Sequence, residues 1–322
     1  MRRNCQRIVT FGLALSVTSL LVMPINAETR VTYKSAKTTS SYYQMAVQFA
    51  EAMKSGSGNN IIVTVEESQG SVQNVKESAV RPGNYVFTTP PVLVKLAKAS
   101  KAMFKGNGNP KYNDIRALFP IPSLTMHFVL SKKSGVKKFS DLKGKTILLG
   151  KGSFGAKEGA KYLKLFGIKD KVKLANVEIS NAVPALKNGQ IDGFVTAGSW
   201  PAPNVIEAAA GTGVHVISLT SDQVKKTKRT KLVIPAGTYK GQTSPITTTS
   251  LPVVAYSTTR MDAPTAYALT KTYWTEKANM GQKANWWNGV DKALMANIIG
   301  KIHPGALKYY RESGFNITVS QK

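Results

Sequence analysis

At 322 residues, 42% of them hydrophobic, the chain is long enough to bury one large or two medium cores, which excludes the disordered and fibrous classes. Lys and Arg number 44 against 17 Asp and Glu, a net charge of +27, and the single Cys5 excludes both a disulfide framework and a cysteine-ligated metal site. Such a field attracts anions from small carboxylates to polyanions. The lysines are dispersed, however, and the one cluster (Lys225, Lys226, Lys228, Arg229, Lys231) lacks the interleaved aromatics of a stacking platform, which argues against a specific nucleic-acid partner.

The first 27 residues read as an export signal. Arg2, Arg3 and Arg7 precede an apolar run over residues 8–23, followed by Pro24 and the small-residue cleavage site ending at Ala27. The run is shorter than the roughly 20 apolar residues that span a bilayer. Cleavage after Ala27 and a periplasmic location are therefore expected. Removing the three leader arginines leaves a charge of +24. Cys5 precedes the apolar run and cannot be a lipoprotein acylation site.

From Arg30 onward apolar periodicity alternates between two and 3.6 residues. It predicts strands at 30–36, 61–66 and 85–88 and helices at 42–54, 71–80 and 90–104. This β-α-β-α order implies an open parallel sheet covered by helices. Residues 115–131 form a nearly continuous apolar run interrupted by Pro120 and Pro122, which suits a strand passing from one domain to another. A second alternating set follows, with strands at 145–150, 172–178, 191–197 and 214–219 and helices at 155–166, 181–188 and 203–210. Residues 250–258 read as the return crossing, and the tail from Asp262 as helical and rich in Trp and Tyr. The expected division is a leader (1–27), a first lobe (28–124 plus 253–322) and a second lobe (125–252), with a cleft between the lobes.

Three strand-to-helix loops share one chemistry. Thr38, Thr39, Ser40 and Ser41 precede the first helix, Ser68, Gln69, Gly70 and Ser71 the second, and residues 150–155 the first helix of the second half. Each sets hydroxyls and unpaired backbone N–H groups at the positive end of a helix, where a carboxylate or phosphate can be held without a dedicated arginine. The pattern Gly150-x-Gly152-x-x-Gly155, with Glu178 ending the next predicted strand, also matches a dinucleotide fingerprint, so an exported dinucleotide-dependent oxidoreductase is an alternative. A nucleophile elbow at Ser153 would need glycine where Lys151 stands. A P-loop would need Lys and Ser or Thr where Ala156 and Lys157 stand. His127, His215 and His303 are isolated in sequence, so neither a metal nor a catalytic site is expected. A cationic envelope protein that binds polyanions is the second alternative.

The loops and the tail together resemble the TAXI branch of the TRAP-transporter solute receptors over nearly the whole chain beyond the leader. The resemblance rests on Ser40-Ser41-Tyr42-Tyr43-Gln44, Gly70-Ser71-Val72-Gln73-Asn74 and Asp141-Leu142-Lys143-Gly144-Lys145. Further signatures are Ile191-Asp192-Gly193-Phe194, Gly198-Ser199-Trp200-Pro201-Ala202-Pro203, Tyr239-Lys240-Gly241-Gln242 and His303-Pro304-Gly305-Ala306. It implies a two-lobed α/β fold of the periplasmic-binding-protein type, with no enzymatic activity and no cofactor. It implies a monomer that captures a small organic anion between its lobes and delivers it to a TRAP-type membrane permease. By resemblance, Ser40, Ser41, Tyr42, Gly70, Ser71, Asn74, Thr88 and Thr89 contact the ligand from the first lobe. Gly152, Ser153, Phe154, Gly155, Gly198 and Trp200, with Ala197 nearby, do so from the second. Where the family's glycine-rich loop carries Ser and Thr, this chain has Phe154 and Ala156. Two donors are thereby lost and an aromatic face is gained, which points to a ligand with a ring or apolar part. His303 reads as a helix start.

Overall fold

The structure, a computed structural model, describes residues 28–322 except Gly152, so the expected leader and that glycine lie outside the described residues. The first lobe begins with β1 (Thr29–Lys34), α1 (Ser41–Gly56), β2 (Ile61–Glu66), α2 (Ser71–Glu77), β3 (Tyr85–Thr89) and α3 (Pro91–Lys98). In α1 the buried Met45, Ala46, Phe49, Ala52 and Met53 recur at helical spacing, and the Ser40 hydroxyl caps the helix by accepting from Tyr42 N–H at 3.2 Å. β1 pairs in parallel with β2 and β3. Every residue of β3 is buried, as expected of a parallel strand covered on both faces. The predicted helix over 90–104 ends early, at Lys98. Ser100 and Ala102 take left-handed φ values of 50° and 53°, and a short 3-10 turn (Ala102–Phe104) completes the segment.

β4 (Ile115–Ser131) is the first crossing. The second lobe follows with β5 (Thr146–Leu148), α4 (Phe154–Leu165), β6 (Lys173–Ala175), α5 (Ala182–Lys187), β7 (Gly193–Gly198), α6 (Pro203–Gly211), β8 (Val214–Val216), α7 (Ser221–Thr227) and β9 (Thr230–Ile234). β10 (Ile246–Thr258) returns to the first lobe, and α8 (Ala263–Lys283) and α9 (Pro304–Glu312) close the chain. α7, β9 and the first four residues of β10 are absent from the sequence reading. β9 lies in the lysine cluster, and its Thr230, Lys231 and Val233 are exposed, so no buried stripe marks it as a strand. Its lysine suits an outer strand.

The expected pair of separate parallel sheets is instead one mixed sheet of order β2-β1-β3-β10-β4-β7-β5-β6, with β8 added to β4 and β9 to β10. The two crossing strands pair antiparallel with each other, from Ile115–Thr258 to Thr125–Ser250, and so join the lobes through a shared ladder. At Thr125 β4 leaves β10 and takes up Gly198 of β7. Between the strands of the described residues, parallel ladders survive where helices cross over, in β2-β1-β3 and in β7-β5-β6. The two-lobed α/β architecture is thus built around a double-stranded hinge.

The prolines of β4 explain part of the tail. Beyond the bridge of Ala117 to Ile302, over residues 118–123, the side of β4 turned away from β10 has no ladder neighbour, and Pro120 and Pro122 have no N–H to offer one. Three buried tyrosines satisfy that side. Tyr310 donates to the Leu118 carbonyl at 2.7 Å, Tyr273 to Pro120 at 2.6 Å and Tyr42 to Pro122 at 3.1 Å. Burial pushes all three phenols well above their ordinary pKa, which keeps them donors. Tyr273 also stacks on Phe119 with ring centroids 4.1 Å apart.

His303 starts α9, with Nδ1 accepting from Gly305 N–H at 3.3 Å. Gly305 lies directly against the α8 backbone, and a Cβ there would run into the Ala263 carbonyl. Because the obstacle is main chain, relief requires the two helices to separate. Gly305→Ala is expected to lower stability by about 2 kcal/mol, the scale of overpacking, measured by urea unfolding. No change in midpoint would show that the helix pair relaxes freely. No helix among the described residues is long and apolar enough to cross a membrane.

Candidate functional site

Between the lobes lies a cavity of about 80 Å³. The N-termini of α1, α2 and α4 reach it, bringing Ser40, Tyr42, Gly70, Ser71, Ser153, Phe154 and Gly155 into its wall, and Thr88 adds the end of β3. These are eight of the residues expected from sequence. Around them stand apolar side chains from both lobes, among them Leu124, Leu149, Ile179 and Val253.

The hydroxyls divide their labour. Ser40 and Ser153 are N-caps, the latter accepting from Ala156 N–H at 2.9 Å. Thr88 differs: its Oγ1 is buried at the wall and has no hydrogen-bond partner. Phe154 is itself buried and packs with the large apolar core, presenting the rest of its ring to the cavity.

The other expected residues lie elsewhere. Ser41 Oγ accepts from Ser199 N–H across the lobes at 2.8 Å. Gly198 makes that approach possible, since a Cβ there would sit 2.7 Å from Ser41 Oγ. Asn74 is fully buried, donating to the carbonyls of Ser35 (2.7 Å) and Thr88 (3.1 Å) and placing Oδ1 2.7 Å from Ser68 Oγ. It pegs the ends of β1 and β3 beneath α2. The Thr89 hydroxyl is buried without a partner, away from the cavity wall. Trp200 lines a second interlobe cavity, of about 400 Å³. Gly152 lies outside the described residues.

Of the polar lining residues absent from the list the sequence suggested, three shape the site most. Thr196 at the end of β7 accepts from Asn204 Nδ2 at 3.0 Å, and Asn204 stands in the first turn of α6. No local signal singles out either one, because their exposure to the cavity depends on how β7 sits against α1. Lys37 is the third, and it is the cation of the wall. Its Nζ lies 3.5 Å from Glu67 and 3.8 Å from Glu178 of the other lobe. Gln69 completes this latch: with its amide oriented so that the oxygen accepts from Lys37 at 3.3 Å, the nitrogen donates to Glu178 at 3.0 Å. Glu178, the acid that a dinucleotide fingerprint would place on a ribose, is thus engaged with the first lobe.

Behind α6 a buried relay fixes the second lobe. His127 Nδ1 lies 3.2 Å from the Thr125 carbonyl and Nε2 lies 2.8 Å from the Tyr239 hydroxyl, whose oxygen accepts from Ala202 N–H at 3.0 Å. One tautomer satisfies every member: Nδ1–H donates to Thr125, and Tyr239 donates to Nε2. Burial lowers the His127 pKa to about 4, so the ring is neutral. Of the lysine cluster, Arg229 is turned inward, binding buried Glu158 of α4 through Nε at 2.7 Å and Nη2 at 3.1 Å.

Solved structures similar to this chain include one that shares this architecture. The periplasmic binding protein BugD shares it at 11% identity and a TM-score of 0.55, over 90% of this chain and 99% of that one. The alkanesulfonate-binding protein SsuA from Xanthomonas axonopodis pv. citri, bound to MOPS, matches 90% of this chain and 80% of its own, at 16% identity and a TM-score of 0.44. A substrate-binding protein of an ABC uptake transporter from Streptococcus pneumoniae, with bound histidine, matches 81% of this chain and 93% of its own, at 14% identity and a TM-score of 0.48. The likeness to BugD is one of fold. In sequence, the profile of the NMT1-like family matches residues 34–314, and the chain therefore belongs to the NMT1-like family.

Proposed function

We propose that the protein is the periplasmic solute receptor of a TRAP-type transporter of the TAXI branch, holding a small organic anion in the first cavity and passing it to a membrane permease. Ser40, Tyr42, Gly70, Ser71, Thr88, Ser153, Phe154 and Gly155 form the contact set, with Gly152 of the same loop. Ser41 and Gly198 serve closure, and Asn74 the wall behind. The first lobe comprises 28–124 plus 253–322 and the second 125–252, a division supported by β4 leaving β10 for β7 at Thr125. The observation that carries the reading is the convergence of three helix N-termini, with the unpartnered Thr88 hydroxyl, on one interlobe space. First-turn N–H groups have no acceptor within their helices and favour negative charge. Lys37 is the cation at hand. The apolar remainder and Phe154 suit a carboxylate with a ring or apolar part.

Native mass spectrometry of the protein without its leader, with identification of the released small molecule, tests the reading. A stoichiometric organic acid is expected. A bare protein that gains no thermal stability across a panel of organic acids would sink it, since ligand at 100 times its Kd adds about 2.7 kcal/mol. Thr88→Val offers a separate check. Because the hydroxyl makes no well-formed hydrogen bond in the protein, with Tyr33 its polar neighbour, stability should change little, whereas affinity for the acid should fall by about 1 kcal/mol, roughly fivefold. Equal affinity in titration calorimetry would remove Thr88 from the contact set.

A further inference from the structure

The cavity that holds Trp200 is distinct from the one just described. Ser123 and Leu124 are consecutive residues of β4 and face opposite sides of the strand, Leu124 toward the first cavity and Ser123 toward the second. Two contacts stand between the spaces: Ser199 N–H to Ser41 Oγ, which crosses the lobes, and the Tyr42 hydroxyl to the Pro122 carbonyl, within the first lobe. The second space measures about 400 Å³, within the range of small-molecule pockets. Both lobes build it. Ser199, Trp200 and Leu232 come from one, and Asn285, Trp286 and Asn288 from the segment after α8.

Its chemistry is unlike the rest of the surface. In a chain of net charge +27, no residue lining this cavity is charged. An ion entering it would lose water without gaining a counter-charge, which selects against ions. Two indoles supply flat apolar faces, and Trp286 Nε1 is already committed to Gln48 at 3.2 Å. Asn285 and Asn288, joined Oδ1 to Nδ2 at 2.9 Å, and the hydroxyls of Ser123 and Ser199 supply polar groups at the wall. Planar apolar faces with neutral polar groups suit an uncharged ring that carries a hydrogen-bonding edge.

We infer that this cavity is a second small-molecule site, selective for neutral aromatic compounds such as aromatic amides. Because its walls belong to both lobes, an occupant binds the closed arrangement better than any arrangement that parts them. By linkage it strengthens ligand binding in the first cavity, and is strengthened by it in return. This coupling rests on the proposed receptor function, but the site itself does not.

The test uses benzamide as the neutral probe and benzoate as its charged counterpart, in titration calorimetry on the protein free of any cleft ligand. Benzamide is expected to bind one to one, with benzoate about tenfold weaker. Trp200→Ala should weaken benzamide by about tenfold, the loss of one stacking face and its buried area. Gly289 also lines the cavity, and a Cβ there meets nothing within 4 Å, so a side chain can start from it in open space; Gly289→Trp, whose indole is expected to occupy the cavity, should abolish benzamide binding. Thr88→Val, which alters the first cavity alone, should leave benzamide untouched. The proposal is overturned if benzamide gives no heat at millimolar concentration, if both cavity variants bind it like the parent, or if Thr88→Val removes it. An empty first cavity in native mass spectrometry would count against the receptor reading and leave these results standing.

Discussion

Replacing Asn74 by alanine is expected to cost about 3 kcal/mol of folding stability and to abolish ligand capture. The side chain is fully buried and turned inward, its amide N–H groups serving the Ser35 and Thr88 carbonyls. Its oxygen lies 2.7 Å from Ser68 Oγ, which is also 2.9 Å from the Ser35 carbonyl and gives its one proton to either. Removing the amide strands buried acceptors where water cannot follow, and each unmade bond costs about 1 to 3 kcal/mol. Ser35 and Thr88 both line the first cavity, so the wall moves with the peg. Asn74→Asp should be no better, because a carboxylate offers those carbonyls no donor. Urea unfolding at matched slope is the measurement. A loss under about 1 kcal/mol would mean that the strand ends are held by their ladders alone.

The second large effect is on the acid side of the stability profile. His127 is neutral in the fold, with its pKa lowered to about 4, whereas the free side chain titrates at 6.5. Between those values the unfolded chain binds the extra proton and the folded chain does not. Stability is therefore full above pH 6.5 and falls as pH drops toward 4, by on the order of 3 kcal/mol. His303, also lowered by burial, acts in the same direction. The physical cause is burial, which disfavours the charged ring, and the neutral ring keeps its Nε2 lone pair for Tyr239. Denaturant melts at pH 7.5 and pH 4.5 should show the drop in the parent protein. His127→Asn should start lower at pH 7.5, having lost the relay, and show a shallower drop. Parallel pH profiles in the two proteins would assign the acid sensitivity to the carboxylates instead.

What is local can be read from the chain alone. The boundaries of β2 and β4 follow from apolar runs, those of α1 and α4 from hydroxyl caps followed by a 3.6-residue stripe, and these signals need no distant partner. The three hydroxyl-bearing helix starts were legible for the same reason, and all three reach one cavity. Tertiary structure decided everything that depends on a partner far along the chain. Ser40 and Ser41 are indistinguishable in sequence, yet one caps its own helix while the other meets Ser199, 158 positions away. Trp200 carries no mark separating it from Phe154, but the turn after β7 sends it into the second cavity with Trp286. The single mixed sheet arises because β4 and β10 pair across more than a hundred residues, a register that periodicity within either strand cannot encode. β9 escaped notice because an exposed strand owes its structure to the ladder it joins rather than to a buried face of its own.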